Sequence, residues 1–229
     1  MAAEFLKACV ETRLNILICG GAGSGKTTLM NVLCSFIPAK ERVITIEETR
    51  ELRLNRAHTV PLETRLPNIE GKGEITSRQL IRNALHMRPD RIIVGEVRSG
   101  EILDMIQAMS TGHEGSMTTI HANNSLEAMD RLEILALMGS LNLSSEVAKR
   151  QIINAVDLII NMSRMPDGLR KVTQIVEVVK SKEYKIEDIM ILSRDSKEPG
   201  LRFTGHKPHF YQRLKDKVNY FCGEFENGA

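Results

Sequence analysis

Nine residues near the start of the chain, Gly20-Gly21-Ala22-Gly23-Ser24-Gly25-Lys26-Thr27-Thr28, constrain the fold more than any other stretch. They fit G-x-x-x-x-G-K-[ST], a phosphate-binding loop. Such a loop works only between a strand and a helix. Glycines let successive backbone N–H groups turn inward without Cβ clashes and form an anion nest. The N-terminus of the following helix adds partial positive charge. The flanks supply both elements. Residues 13–19 read as a short buried strand, and 27–36 as a helix with Leu29, Met30, Leu33 and Phe36 at apolar positions. In this setting Lys26 reaches the β/γ-phosphates and Thr27 is placed to ligate Mg²⁺. The bland reading, a Gly-rich turn that binds nothing, does not need the lysine and the two threonines that follow.

Strand and helix patterns alternate from residue 2 to about 160. Strands are expected at 42–47, 58–62, 91–95 and 116–120, and helices at 77–86, 99–110, 124–138 and 144–155, with Thr76 or Ser77 capping the first of these helices. The alternation predicts an α/β fold, a mostly parallel sheet with helices on both faces. Beyond Asp157 the texture changes. Residues 158–162, 171–179 and 184–192 read as a meander, turning first at Met165-Pro166-Asp167-Gly168. A charged loop at 193–200 and a last helix over 208–221 follow. The expected organisation is a core over 1–180 and an appendage over 181–229 packed on it.

Composition excludes several classes. With 229 residues and a net charge of +2, the chain carries no polyelectrolyte signal for nucleic acid or anionic lipid. Trp is absent and Tyr and Phe are few, which argues against a base-stacking platform. Cys9, Cys19, Cys34 and Cys222 form no C-x-x-C pair and read as reduced thiols. The longest uncharged apolar-rich stretch, 134–145, falls short of the roughly 20 residues of a membrane span, and no signal peptide is evident. The aromatics that do occur gather late, at Phe203, Phe210, Tyr211, Tyr220, Phe221 and Phe225. They read as packing for a terminal helix, or as a docking surface for a partner.

Hydrolysis needs carboxylates beside the terminal phosphate. Two apolar strands end in them, Val43-Ile44-Thr45-Ile46-Glu47-Glu48 and Arg91-Ile92-Ile93-Val94-Gly95-Glu96. Ligands of an open parallel sheet sit outside the carboxyl ends of its strands, so Glu47 and Glu96 would share an edge with the phosphate loop. Simple solvated strand ends are the alternative. His113 and His121 bracket a strand of small hydroxyl residues. His113-Glu114 opens an H-E-x-x-H pattern, but Met117 occupies the place of the second histidine, so zinc ligation is rejected.

The whole set resembles the traffic ATPases of bacterial type II/type IV secretion and type IV pilus machines, closest to the branch that assembles tight-adherence (Flp-type) pili. Four boxes stand in that family's order. These are the Walker A loop Gly20 to Thr28, the acidic box Ile46-Glu47-Glu48-Thr49-Arg50-Glu51-Leu52, the Walker B box Arg91 to Arg98, and the histidine box Thr111 to Asn124. Stretches 62–68 and 80–90 are also similar to that branch. The resemblance implies a RecA-like fold that hydrolyses ATP with Mg²⁺. Glu47 would be the general base, Glu96 would hold Mg²⁺ through water, and Lys26 with Thr27 would hold phosphate and metal. His113 and His121 would report nucleotide state and subunit contact. It also implies a homo-hexamer in the cytoplasm, peripheral to the inner membrane, that acts on an inner-membrane platform protein; on charge and aromatic content, no nucleic acid is expected.

Arg65, Arg82, Arg88 and Arg98 are candidate γ-phosphate partners, Arg82 and Arg98 before the others, with ordinary surface salt bridges as the alternative. Two departures from the pattern stand out. The acidic box carries Glu48 where the family has aspartate. The family also places a domain of comparable size before this module, so the chain reads as the ATPase domain alone. Two rival readings stay open, a nucleotide-binding subunit without effective turnover and a RecA-like nucleic-acid translocase.

Overall fold

The computed structural model describes residues 1–193 and 200–215. One nine-stranded sheet forms its centre, in the order β3-β2-β4-β5-β1-β6-β7-β8-β9. The parallel part comprises β1 (Ile16–Gly20), β2 (Val43–Glu47), β3 (Thr59–Glu63), β4 (Arg91–Val94), β5 (Met117–Ile120) and β6 (Leu158–Arg164). An antiparallel meander of β7 (Arg170–Val178), β8 (Ile186–Ser193) and β9 (Gly200–Phe203) extends it.

Strands β1, β2, β4 and β5 are buried at every position; β1, β2 and β4 are mostly apolar without alternation, while β5 buries Thr118 and Thr119 between Met117 and Ile120. Alternation still sorts their side chains between two cores. Leu17 and Cys19 face the core built with α3 (Ser77–Leu85), α4 (Ile102–Ser110), α5 (Ser125–Gly139) and α6 (Ser145–Ala155). Ile16 and Ile18 face the core built with α1 (Ala2–Glu11), α2 (Lys26–Ser35) and α7 (Tyr211–Lys215). Strand β3 lies at the edge, where Pro61 costs no ladder bond that a central strand would need.

Local signals place the elements. Thr76 caps α3 in a capping box with Gln79, its side chain accepting from the Gln79 N–H while the Gln79 side chain accepts from the Thr76 N–H. Asn124 and Ser144 accept from Glu127 N–H and Val147 N–H at the starts of α5 and α6. The fully buried Arg91 opens β4, paired with Glu41 at 2.6 Å and donating to the Val10 carbonyl at 2.8 Å.

The sheet does not break at residue 180. Strands β8 and β9 continue it by hydrogen bonding onto β7, and Phe210, Tyr211 and Leu214 of the following segment pack into the α1–α2 core. The expected appendage therefore begins as part of the central sheet. The expected loop at 194–199, the end of the expected helix over 216–221, and Tyr220, Phe221 and Phe225 lie outside the described residues.

Candidate functional site

A cleft of about 600 Å³ opens where β1, β2, β4 and β5 end. The phosphate loop forms its floor. Gly23 and Gly25 take left-handed φ values of 67° and 97°, which L side chains avoid. Helix α2 then starts at Lys26, and its first internal bond runs from Leu29 N–H to Gly25 O at 2.9 Å. The N–H groups of Lys26, Thr27 and Thr28 precede that bond, so they have no acceptor inside the helix and are available to an anion. Lys26 Nζ donates to Gly20 O at 2.9 Å and Gly21 O at 3.1 Å. Burial holds its pKa below the ordinary lysine value, and the Glu96 carboxylate works against that. A phosphate would replace two carbonyl dipoles with a full negative charge, so the loop fits the group it resembles a cradle for.

Glu47 enters from β2 and is nearly covered. Its Oε1 accepts from the N–H groups of Glu51 and Leu52, each at 3.0 Å. That fixes the carboxylate and leaves Oε2 for a water or substrate proton. Gly95 makes the position possible, because a Cβ there would stand 3.1 Å from Glu47 Cγ. Glu96 follows β4 into the cleft, and Thr119 on β5 donates to Gly95 O at 2.7 Å, tying the two strand ends together. Arg98 donates to Glu96 Oε2 at 2.5 Å and to Glu48 Oε2 at 2.6 Å. His121, just past β5, also lines the cleft.

For Mg²⁺ the available donors are the Thr27 hydroxyl and the Glu96 carboxylate. They are hard oxygen donors and too few for a protein-only cage; no group of three or more acidic, His or Cys residues among the described ones forms one. That fits an ion held mainly by waters and substrate phosphates.

Other expected residues lie elsewhere. His113 precedes β5, at the end of the sheet opposite the loop, with Nδ1 3.0 Å from Pro89 O. It cannot touch a nucleotide in the cleft of its own chain. The misplacement follows from direction, since the histidine box spans a whole strand and only its far end, His121, emerges at the loop. Arg82 pairs with Asp104 at 2.7 Å in a separate groove between α3 and α4. Arg65 donates to Gly73 O at 2.7 Å within a surface hairpin. Arg88 sits in a left-handed turn after α3 and does not line the cleft.

One residue at the cleft escaped the sequence reading. Arg170 opens β7, and its Nε donates to Gly23 O at 3.0 Å. The turn at 165–168 was legible, but its place beside the loop depends on β6 lying next to β1, a long-range pairing that local pattern does not reveal.

Comparison with known proteins agrees with this geometry. A Mycobacterium tuberculosis protein assigned to conjugal transfer is 39% identical over 194 residues, covering 85% of this chain and 54% of that protein. The type IV secretion system protein VirB11 of Bartonella quintana is 37% identical over 176 residues, covering 75% of this chain and 48% of its own length. The crystal structure of the VirB11 ATPase of Brucella suis, in complex with sulphate, superposes with a TM-score of 0.70 at 32% identity, over 77% of this chain and 52% of that one. The chain thus spans about half the length of the relatives it matches. Residues 1–188 match the family described as "Type II/IV secretion system protein", with a RecA-like sheet and helices as in VirB11, and the chain belongs to that family.

Proposed function

We propose that this chain is the ATP-hydrolysing domain of a bacterial traffic motor, and that its cleft carries the chemistry. The observation behind this is convergence. A phosphate loop with free helix N–H groups, a lysine, and two carboxylates from different strands, Glu47 and Glu96, meet in one cleft.

The nucleotide's phosphates would lie on the loop, with Lys26 against the β/γ pair. Glu47, clamped through Oε1, would take a proton at Oε2 from the attacking water. The water oxygen bonds to the γ-phosphorus as the bond to the β,γ-bridging oxygen breaks, and ADP leaves with that electron pair. Glu96 and Thr27 would hold Mg²⁺, which supplies neutralisation of the phosphate charge. His121 lies where it could sense the γ-phosphate.

Within the family, we read the chain as serving the Flp-type pilus branch, on the residues at 62–68 and 80–90. Six copies would form a ring at the cytoplasmic face of the inner membrane and act on a platform protein. Arg82, outside its own cleft, and His113 would then serve neighbouring copies. No helix among the described residues is long and apolar enough to cross a membrane.

The test is Glu96→Gln beside Lys26→Ala. Glu96→Gln should keep nucleotide affinity and lose most phosphate release, whereas Lys26→Ala should lose affinity. Full turnover in Glu96→Gln would move the chemistry elsewhere. A second reading, nucleotide binding without effective turnover, draws on Arg98, which already neutralises both Glu96 and Glu48. ATP binding with no phosphate release from the full-length protein would favour it.

A further inference from the structure

Resting on the reading of the cleft as a nucleotide site, we propose that Arg170 is a nucleotide-binding residue in cis, which grips the phosphates retained in ADP rather than the one transferred. Three observations carry this. The first is position. In the strand order β2-β4-β5-β1-β6-β7, the loop leaves β1 with Glu47 and Glu96 on one side and Arg170 on the other. A γ-phosphate that reacts must face the carboxylates. The rest of the polyphosphate then extends along the loop toward β6 and β7, where Arg170 stands.

The second is contact. Arg170 is seated on the loop itself. Its Nε donates to Gly23 O at 3.0 Å, and a Cβ on Gly25 would meet its Cδ at 3.2 Å. Gly25 thus lacks a side chain where the arginine stem passes, and the guanidinium is anchored at one nitrogen. The terminal nitrogens remain to donate to an anion, in the forked geometry that suits phosphate.

The third is charge. Of the three cations at the cleft, Arg98 is committed to two carboxylates and Lys26 is held on two loop carbonyls near Glu96. No carboxylate among the described residues pairs with Arg170. It is an exposed positive charge at the cleft whose one bonded partner is a neutral carbonyl. A contact to phosphates that stay behind is made equally in substrate, transition state and product. It lowers Kd and KM and leaves kcat alone.

The experiment measures ATP and ADP affinity by calorimetry, and kcat and KM by phosphate release, for the full-length protein and three variants. Arg170→Ala should weaken ATP and ADP by a similar factor, about tenfold for the loss of one charge-assisted contact, with kcat at saturation unchanged. Arg170→Lys should recover part of the affinity. Arg170→Gln keeps a donor for Gly23 O without charge and should behave like alanine. Wild-type affinity in Arg170→Ala overturns the proposal. So does full rescue by glutamine, which would make Arg170 a brace for the loop, or a fall in kcat at unchanged Kd. Failure of the wild type to bind ATP or ADP at all would instead overturn the nucleotide reading of the cleft.

Discussion

Arg98 closes onto Glu96, with a guanidinium nitrogen 2.5 Å from Oε2, while its Nη1 reaches Glu48 Oε2 at 2.6 Å. The carboxylate proposed to hold Mg²⁺ is thus already in contact with a cation. The hydrogen bond to Glu96 is the largest factor holding the Arg98 pKa above the ordinary arginine value, followed by burial acting the other way and by the charges of Glu96 and Glu48. On that proposal, arginine and metal would compete for the same carboxylate. Glu48, one methylene longer than aspartate, lets its carboxylate reach outward to share the guanidinium, which gives the departure in the acidic box a structural role.

Removing the competitor should therefore favour the metal. In Arg98→Ala, the Mg²⁺ concentration giving half-maximal binding of Mg–ADP should fall by about twofold to fivefold, the range expected for loss of an exposed ion pair. Titration of Mg²⁺ at fixed ADP, followed by calorimetry, measures it. An unchanged or higher midpoint would show that Arg98 supports the metal site instead of competing with it.

Gly95 tests the positioning of Glu47. Its φ is not in the left-handed region, so alanine is compatible with the backbone, but its Cβ would stand 3.1 Å from Glu47 Cγ. Glu47 cannot retreat freely, because Glu51 and Leu52 N–H groups hold Oε1. Gly95→Ala should lower kcat about ten- to a hundredfold, in line with a sub-ångström to 1 Å shift of a catalytic group. Nucleotide affinity should stay close to wild type. A matched loss of affinity in calorimetry would mean that the substitution damaged the phosphate loop and not the base.

The parts of this site that were legible in the sequence are those set by local chemistry. The loop from Gly20 to Thr28 announces its own conformation, and apolar strands ending in Glu47 and Glu96 announce their shared edge, because parallel strands point one way. Most elements up to β8 fell within a few residues of their observed bounds for the same reason, whereas β9 (Gly200–Phe203) was not expected at all. What local pattern could not supply was strand order. Arg170 belongs to the cleft only because β6 pairs with β1 and turns back through β7. His113 and His121 look equivalent in sequence, eight residues apart across one strand, yet the strand carries them to opposite ends of the sheet. The change of texture from alternating α/β to meander comes at Asp157, and the boundary expected at 180 falls inside the meander, where the ladder continues from β7 to β8.

Arg82 offers a test of whether the active unit contains more than one chain. Its side chain is 59% exposed, its partner Asp104 is largely buried, and its groove is separate from the cleft. Within one chain it has no nucleotide to act on. If it serves a neighbour's γ-phosphate, that contact forms only on assembly; the Arg98–Glu48 pair is 60% and 62% exposed, so water screens it in a lone chain. Phosphate release by the full-length protein should then rise more than linearly with protein concentration. Complementation makes the prediction sharper. Lys26→Ala cannot use its own cleft but still presents Arg82, and Arg82→Ala keeps its cleft but presents no arginine. Each variant alone should be nearly inactive, since an arginine supplied in trans contributes about 10³–10⁵ in rate where one is used. A mixture of the two should recover measurable turnover, because some neighbours then pair an intact cleft with an intact arginine. A mixture no more active than Arg82→Ala alone, or Arg82→Ala as active as wild type, would show that Arg82 serves only its pair with Asp104.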